Sequence, residues 1–154
     1  MSAEDRTKWN ARYAEHDGSP AEPARPLIDL GELIPEKGAA LEIAGGAGRN
    51  SIWLAQRGMD VTMVDISETG LKIATERALK AGVSLRTLSL DVDCDPIPTG
   101  PLYLILCAYF LHRPLFSQFP DLLRPEGLLV VIHPTRANLK RHQKPPARFL
   151  LEDG

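Results

Sequence analysis

Three short apolar runs separated by two amphipathic stretches fill residues 39–90, and they restrict the possible folds of this chain more than any other feature. Residues 39–44 form the first run, ended by Gly45, Gly46 and Gly48. A run that short, closed by glycines, reads as a strand. Residues 49–57 follow as a helix, with Gly58 placed to cap its C-terminus. Residues 59–64 make a second strand. Ser67 is a good N-cap for a helix ending near Ala81, with Leu71, Ala74, Ala78 and Ala81 on one face. Residues 83–90 read as a third strand. Residues 101–108 are apolar almost throughout and suit a fourth strand buried on both faces. Pro114 opens a helix through Leu123, and residues 127–133 form a fifth strand. Strands alternating with helices predict an α/β, Rossmann-like, doubly wound and mostly parallel sheet.

Ahead of this core, residues 5–15 read as a short helix, followed by a loop over 18–26 rich in Pro, Ala and Glu. Residues 27–34 carry Leu27, Ile28, Leu30, Leu33 and Ile34 at helical spacing, stopped by Pro35. The last twenty or so residues are basic and proline-containing, and no regular element is assigned to them. The expectation is one domain over 1–154, with an N-terminal segment over 1–26 and a basic tail over 134–154.

Composition narrows the function classes. A chain of 154 residues with 44% hydrophobic and 25% charged residues can bury a core without disulfides or a structural metal. Its net charge of −2 is too small for wholesale attraction to nucleic acid or membrane. Cys94 and Cys107 have no CxxC partners, so neither a zinc site nor a disulfide framework is expected. Residues 1–13 lack the apolar core of a secretory signal, and no run reaches the roughly 18 apolar residues of a membrane helix. A cytoplasmic setting is expected.

In a doubly wound sheet, ligands bind outside the carboxyl ends of the strands, near the point where strand order reverses. Four features fall there. The first is the run from Glu42 to Gly48, whose glycines let a backbone approach a ligand and open a helix N-terminus toward it. Gly46, Gly48 and Ser51 also make a loose dinucleotide fingerprint, but Glu42 would repel a pyrophosphate and could instead hold an ammonium group. The loop lacks the Gly-Lys-Ser/Thr ending of a P-loop. The second is Asp65 at the end of the second strand, able to accept both hydroxyls of a ribose, with Ile66 beside it to cover one face of an adenine. The third is Asp91, positioned for an adenine amino group. The fourth is the segment from Cys107 to His112, which would face a reacting group. Asp91, Asp93 and Asp95 also fit a solvated acidic loop, without the Gly and terminal Glu of a calcium loop.

The run LEIAGGAGRNSIWLAQRGMDVTMVDIS is similar to motif I and the following acidic motif of class I S-adenosylmethionine-dependent methyltransferases, with the small tellurite-resistance-like members nearest. LDVDCDPIP, LILCAYFLHRPLF and the turn from Leu123 through Gly127 continue the likeness, and Trp9-Asn-Ala-Arg-Tyr13 resembles a lid segment of these enzymes. The resemblance implies that Glu42, Gly46 and Gly48 cradle the methionine part of the cofactor, with Gly45 and Asn50 beside them. It assigns the ribose to Asp65, the adenine to Ile66, Asp91 and Val92, and a cofactor contact to Cys107. Two departures stand out. Ala44 occupies the place of the family's first glycine, where its methyl would crowd the cofactor, and Gly45 stands where Cys or Ser is common. The family also adds two further strands and a helix after strand five. Strand five would otherwise be an exposed apolar edge, expected to be covered by a second copy of the chain or by the tail, or to mark a truncated product.

Methyl transfer from a sulfonium is an in-line displacement, so alignment does most of the work. Tyr109 and His112 are the candidates to line the acceptor pocket, with His112 able to act as a base near neutral pH; packing at the start of the next helix is its structural alternative. His133 reads as structural, and Leu115, Phe119, Leu122 and Leu123 as core. Trp9 and Tyr13 either close over the cofactor or anchor the first helix. The tail cations Arg136, Lys140, Arg141, Lys144 and Arg148 fit a solvated terminus better than a nucleic-acid surface, since no stacking aromatics accompany them. The leading expectation is methyl transfer to a small-molecule acceptor. The alternatives are a cofactor-binding, catalytically inactive domain that needs a partner to complete its sheet, and a nicotinamide-dependent oxidoreductase.

Overall fold

The computed structural model describes residues 2–15 and 20–153. Residues 16–19, which belong to the expected N-terminal segment and its loop, lie outside the described residues, as do residues 1 and 154.

Five strands build one sheet: β1 (Ala39–Ile43), β2 (Asp60–Asp65), β3 (Arg86–Ser89), β4 (Leu102–Ala108) and β5 (Leu123–Ile132). Their order is β3-β2-β1-β4-β5, and every pairing is parallel. β1 sits in the middle, with Ile43 paired to Val64 on one side and Cys107 on the other. Strand order reverses there, so the crevice between the ends of β1 and β4 is the switch point that favours ligands.

Alternation along each strand sorts side chains into two cores. Ala40, Val61, Leu104, Leu106, Val130 and Ile132 face Leu27, Ile34 and Leu54. Leu27 comes from α2 (Arg25–Asp29) and Leu54 from α3 (Arg49–Gln56). Met63 continues this face against Leu71 and Ala74 of α4 (Glu68–Lys80). Leu41, Ile43, Val64, Ile105 and Cys107 point the other way, against Val92, Ile97, Leu115 and Phe119. Burying each large apolar side chain contributes about 1.5–3 kcal/mol.

Several boundaries differ from the sequence pattern, each for a local reason. β3 spans four residues rather than eight, because the N–H of Val83 is used to close the end of α4 on the Ala78 carbonyl. The expected helix over 114–123 divides into a 3-10 turn at Arg113–Ser117 and the four-residue α5 (Phe119–Leu122). Pro114 and Pro120 each lack an N–H and suit a helix start rather than its interior. β5 begins at Leu123, earlier than expected, because Leu102 pairs Leu123 while Leu104 pairs Leu128, and the residues between bulge out with Glu126 at φ 64°.

The tail acquires local structure where no element was assigned. Two 3-10 turns (Arg136–Lys140 and Ala147–Phe149) fold it back, and Leu151 bridges Thr135 in parallel. Leu150 is fully buried, and the Arg113 guanidinium donates to its carbonyl at 3.1 Å. This contact lies beyond the end of β5, so among the described residues the outer edge of β5 has no strand partner. Among the described residues no helix is long and apolar enough to cross a membrane, and no group of three His, Cys, Asp or Glu could hold a metal ion.

Candidate active site

The chain leaves β1 through a tight loop. Ala44 adopts φ 55° and Gly46 φ 58°, while the Gly48 N–H closes back onto the Gly45 carbonyl at 3.0 Å. The left-handed region costs a residue with a Cβ roughly 1–2 kcal/mol, so Ala44 stores strain where a glycine would store none. The departure from the family motif is therefore a backbone feature as well as an added methyl group.

Glu42 lies directly beneath this loop and is 1% exposed. Its carboxylate accepts the Ser51 hydroxyl at 2.5 Å and the Asn50 amide at 3.0 Å. Asn50 uses its carbonyl oxygen to accept the Ala24 N–H at 2.8 Å, so it ties the segment before α2 to the site. Burial pushes Glu42 up to about 7, against the lowering by these hydrogen bonds. Both side-chain donors are neutral. The site thus holds a carboxyl that a ligand's positive charge would readily ionise.

Asp65 ends the adjacent strand. One oxygen accepts the Gly46 N–H and the other the Ser67 N–H, both at 2.8 Å. Burial raises its pKa, and the backbone donors at Ser67, Gly46 and Ile66 restrain the rise. A carboxylate has about four lone-pair sites, so each oxygen keeps capacity for a hydroxyl.

α1 (Ala3–Glu15) lies over the front of this arrangement, although none of its residues is fully buried. Its anchors are polar. Asn10 accepts the Ser67 hydroxyl at 2.7 Å and the Thr69 N–H at 3.1 Å, which places it at the N-terminus of α4. Arg6 donates to the Ile66 carbonyl at 3.2 Å and to the Ser89 hydroxyl at 2.9 Å. Tyr13 supplies the apolar contact: a Cβ on Gly46 would collide with its hydroxyl, and one on Gly70 would come within 3.0 Å of its ring. Two glycines on separate elements thus make room for one tyrosine. Burial and the nearby Asp65 push the Tyr13 hydroxyl up to about 12.

Together these elements enclose a cleft of about 420 Å³ at the switch point. Its walls include Glu42, the residues from Ala44 to Ala47, Asp65 and Ile66 on one side and Tyr109 and Phe110 on the other, with Trp9, Arg12 and Tyr13 above. A second groove of about 530 Å³ runs between residues 21–28, α3 and the end of α4. It has no buried carboxylate and lies away from the strand ends, so size does not decide between the two.

The sequence profile of methyltransferase domains matches residues 40–127, more than half of the chain. The chain belongs to the methyltransferase-domain family. Among its relatives is a Bacillus subtilis protein, YqeM, which carries the name of a methyltransferase and is 46% identical over 108 residues, covering 63% of this chain and 42% of that one. A solved S-adenosylmethionine-dependent methyltransferase from Thiobacillus denitrificans, in complex with S-adenosylhomocysteine, superposes with a TM-score of 0.64 at 19% identity, covering 80% of this chain and 54% of that one. A TehB-like S-adenosylmethionine-dependent methyltransferase from Corynebacterium glutamicum gives 0.61 at 21% identity, covering 84% and 73%. The five-stranded parallel sheet is therefore that of the Rossmann-like methyltransferase fold. The chain spans less than half the length of the curated relatives it matches.

Within this methyltransferase-family domain, the residues singled out from sequence do not all meet. Glu42, Gly45, Gly46, Asn50, Asp65, Ile66 and Tyr109 line the cleft, whereas Gly48, Asp91, Val92, Cys107 and His112 do not. Gly48 is the N-cap of α3, packed so that a Cβ there would come 2.7 Å from that of Ala74. Asp91 accepts the Asp93 N–H and donates its own N–H to Asp95, while Val92 is part of the core. Cys107 is buried on β4, and burial pushes its thiol up to about 12, which makes it a poor nucleophile. His112 pairs through Nδ1 with Asp93 at 3.1 Å, and its ring stacks on Phe110, a wall of the cleft. His133 is held by the Phe149 carbonyl at 2.5 Å. Three contributors were not singled out from sequence for what they do here: Ser51 as the partner of Glu42, and Arg12 and Arg49 at the mouth. An arginine directly after the last glycine of the loop was the available signal for Arg49.

Proposed function

We propose that this domain binds S-adenosylmethionine in the cleft at the switch point and transfers its methyl group to a small-molecule acceptor. The observation that carries the proposal is Glu42, a buried carboxyl with only neutral partners, open to a cleft beneath a glycine loop. That environment suits an ammonium such as the one on the methionine end, and it disfavours a pyrophosphate, which argues against a nicotinamide cofactor.

Asn50 and Ser51 fix the Glu42 carboxyl. Asp65 takes the ribose hydroxyls with its remaining lone pairs, and the side-chain-free backbone of Gly45 and Gly46 lets the methionine end approach closely. Ile66 covers one face of the adenine, while Gly48, Asp91, Val92 and Cys107 support the cradle from behind. α1 acts as a lid that carries Trp9, Arg12 and Tyr13. When bound, the cofactor supplies a methyl group on a positively charged sulfur. The acceptor's lone pair forms the new bond to carbon as the carbon–sulfur bond breaks and its electron pair returns to sulfur. Tyr109 and Phe110 orient the acceptor, and His112, held by Asp93, is the group that could receive a proton if the nucleophile carries one. We also propose a cytoplasmic protein in which a second copy pairs with the open edge of β5.

Equilibrium titration with S-adenosylhomocysteine, and in parallel with NADH, tests the assignment on wild type and Asp65→Ala, each checked for folding by circular dichroism. Micromolar binding of S-adenosylhomocysteine alone, weakened at least tenfold by the substitution, is expected. Binding of NADH, or an affinity that Asp65→Ala leaves unchanged, would overturn it. Turnover of the methyl donor with an acceptor separates catalysis from binding without chemistry.

A further inference from the structure

Both arginines that line the cleft, Arg12 and Arg49, lack a carboxylate partner among the described residues. Elsewhere Arg6 pairs with Glu68, Arg25 with Asp29, Arg57 with Glu36 and Arg136 with Glu152. The two cleft arginines lie over aromatic rings instead: Arg12 stands 5.0 Å from the centre of Trp9, and Arg49 stands 5.5 Å from that of Tyr109. Neither donates to the buried acids, whose hydrogen-bond donors are neutral. Both guanidinium groups oppose the rise of the Tyr13 pKa, so their charges converge on the mouth of the cleft.

The methionine end of the donor brings one carboxylate, which satisfies one of these cations. Arg12 sits on α1 beside Tyr13, whose hydroxyl stands over Gly46 and the glycine loop, so it is the one placed for that carboxylate. Arg49 leans the other way, onto Tyr109 at the end of β4, and reaches only the Glu22 carbonyl at 3.4 Å. Tyr109 itself is held in a strained backbone conformation, φ 58°, by its N–H to the Ile132 carbonyl, and 53% of its surface is exposed. Non-glycine residues kept at positive φ cluster at ligand sites, where surrounding structure enforces them. A fixed aromatic ring with a guanidinium fork over it matches a flat anion, since the fork binds a carboxylate through two parallel hydrogen bonds.

Building on the cofactor assignment above, we propose that the methyl acceptor is a planar aromatic carboxylate, with its carboxylate taken by Arg49 and its ring laid along Tyr109 and Phe110. A bound sulfonium adds a further positive charge to the same mouth, so an anionic acceptor is favoured electrostatically over a neutral one. In the complex with S-adenosylhomocysteine, which lacks the sulfonium charge, and with Arg12 on the donor's carboxylate, Arg49 alone balances a carboxylate and falls short of a phosphate monoester, which carries close to two charges at neutral pH.

Benzoate, benzamide and phenyl phosphate, titrated by NMR into the complex with S-adenosylhomocysteine, test the proposal on wild type and Arg49→Gln. Affinity for S-adenosylhomocysteine is measured first, so loss of the cofactor site is seen directly and is not confused with loss of the acceptor site. Saturable benzoate binding is expected, with benzamide at least tenfold weaker. Arg49→Gln should weaken benzoate at least tenfold and leave S-adenosylhomocysteine within about threefold. Equal binding of benzoate and benzamide, no saturation by benzoate, or tighter binding of phenyl phosphate would overturn the proposal. So would a tenfold loss of S-adenosylhomocysteine affinity in Arg49→Gln, which would make Arg49 a cofactor residue.

Discussion

Glu42 concentrates the chemistry of the site at a single residue. Its folded pKa of about 7 lies above its ordinary value of 4.5, so the folded chain holds more protons than the unfolded one between those values. Stability from this group is therefore greatest below about pH 4.5 and falls as pH rises toward 7, by roughly 1.4 kcal/mol per pH unit across that window. Burial of Asp65, whose pKa is also raised, acts in the same direction at lower pH. An ammonium ligand needs the ionised form, so affinity for S-adenosylhomocysteine should fall about tenfold per pH unit below 7. In Glu42→Gln the pH dependence of both stability and affinity should flatten, the variant should unfold at a higher temperature than wild type at pH 8, and its affinity should drop at least tenfold. Thermal unfolding and calorimetric titration at several pH values measure the two effects. A pH-independent affinity in wild type would remove Glu42 from the binding account. Glu42 and Asp65 were legible in the sequence because a carboxylate is out of place at the end of an apolar strand. Arg12 and Arg49 were not, since a cation on a short amphipathic helix reads as solvated unless the fold brings it to a cleft.

Among the elements, α1 has the weakest claim to permanence. It buries no residue fully, and its hold on α4 rests on Asn10, Arg6 and the seat of Tyr13 between Gly46 and Gly70. Hydrogen bonds of this kind contribute about 0.5–1.5 kcal/mol each, so the helix is poised to detach without disturbing the sheet. Asn10→Ala should raise hydrogen exchange across residues 3–15 at least fivefold while β1, β2 and β4 keep their protection. Unchanged exchange in α1 would mean that Arg6 and Tyr13 suffice to hold it. The same contrast explains which elements the sequence revealed. β1, β2 and β4 are buried and carry continuous apolar runs. β3 is short and has no fully buried residue, so its pattern merged with the end of α4. The prolines at 114 and 120 were visible in the sequence, but periodicity alone could not show that they divide one helix into two short turns.

For the whole molecule, the sheet order places every recognisable ligand feature at one end and leaves the edge of β5 open at one side. Open strand edges are pairing sites, and among the described residues the outer edge of β5 has no strand partner, the tail's bridge to Thr135 lying past the strand, so the proposed pairing of two copies runs along β5. Light scattering should then give twice the chain mass of 16.9 kDa. Val131→Lys, at a half-buried position of β5 and checked for folding by circular dichroism, should be a monomer. A monomeric wild type at micromolar concentration would contradict the pairing and leave the cofactor account untouched. Because a second groove of comparable volume exists on the far side of α3, the measurement that bears most directly on that account is residue-resolved NMR during addition of S-adenosylhomocysteine. The predicted result is saturable shifts at the amides of Gly45, Gly46, Ala47, Ile66 and Tyr109. Shifts confined to Ile28, Trp53 and Lys80, or none from the folded protein, would contradict the assignment of the switch-point cleft as the methyl donor's site.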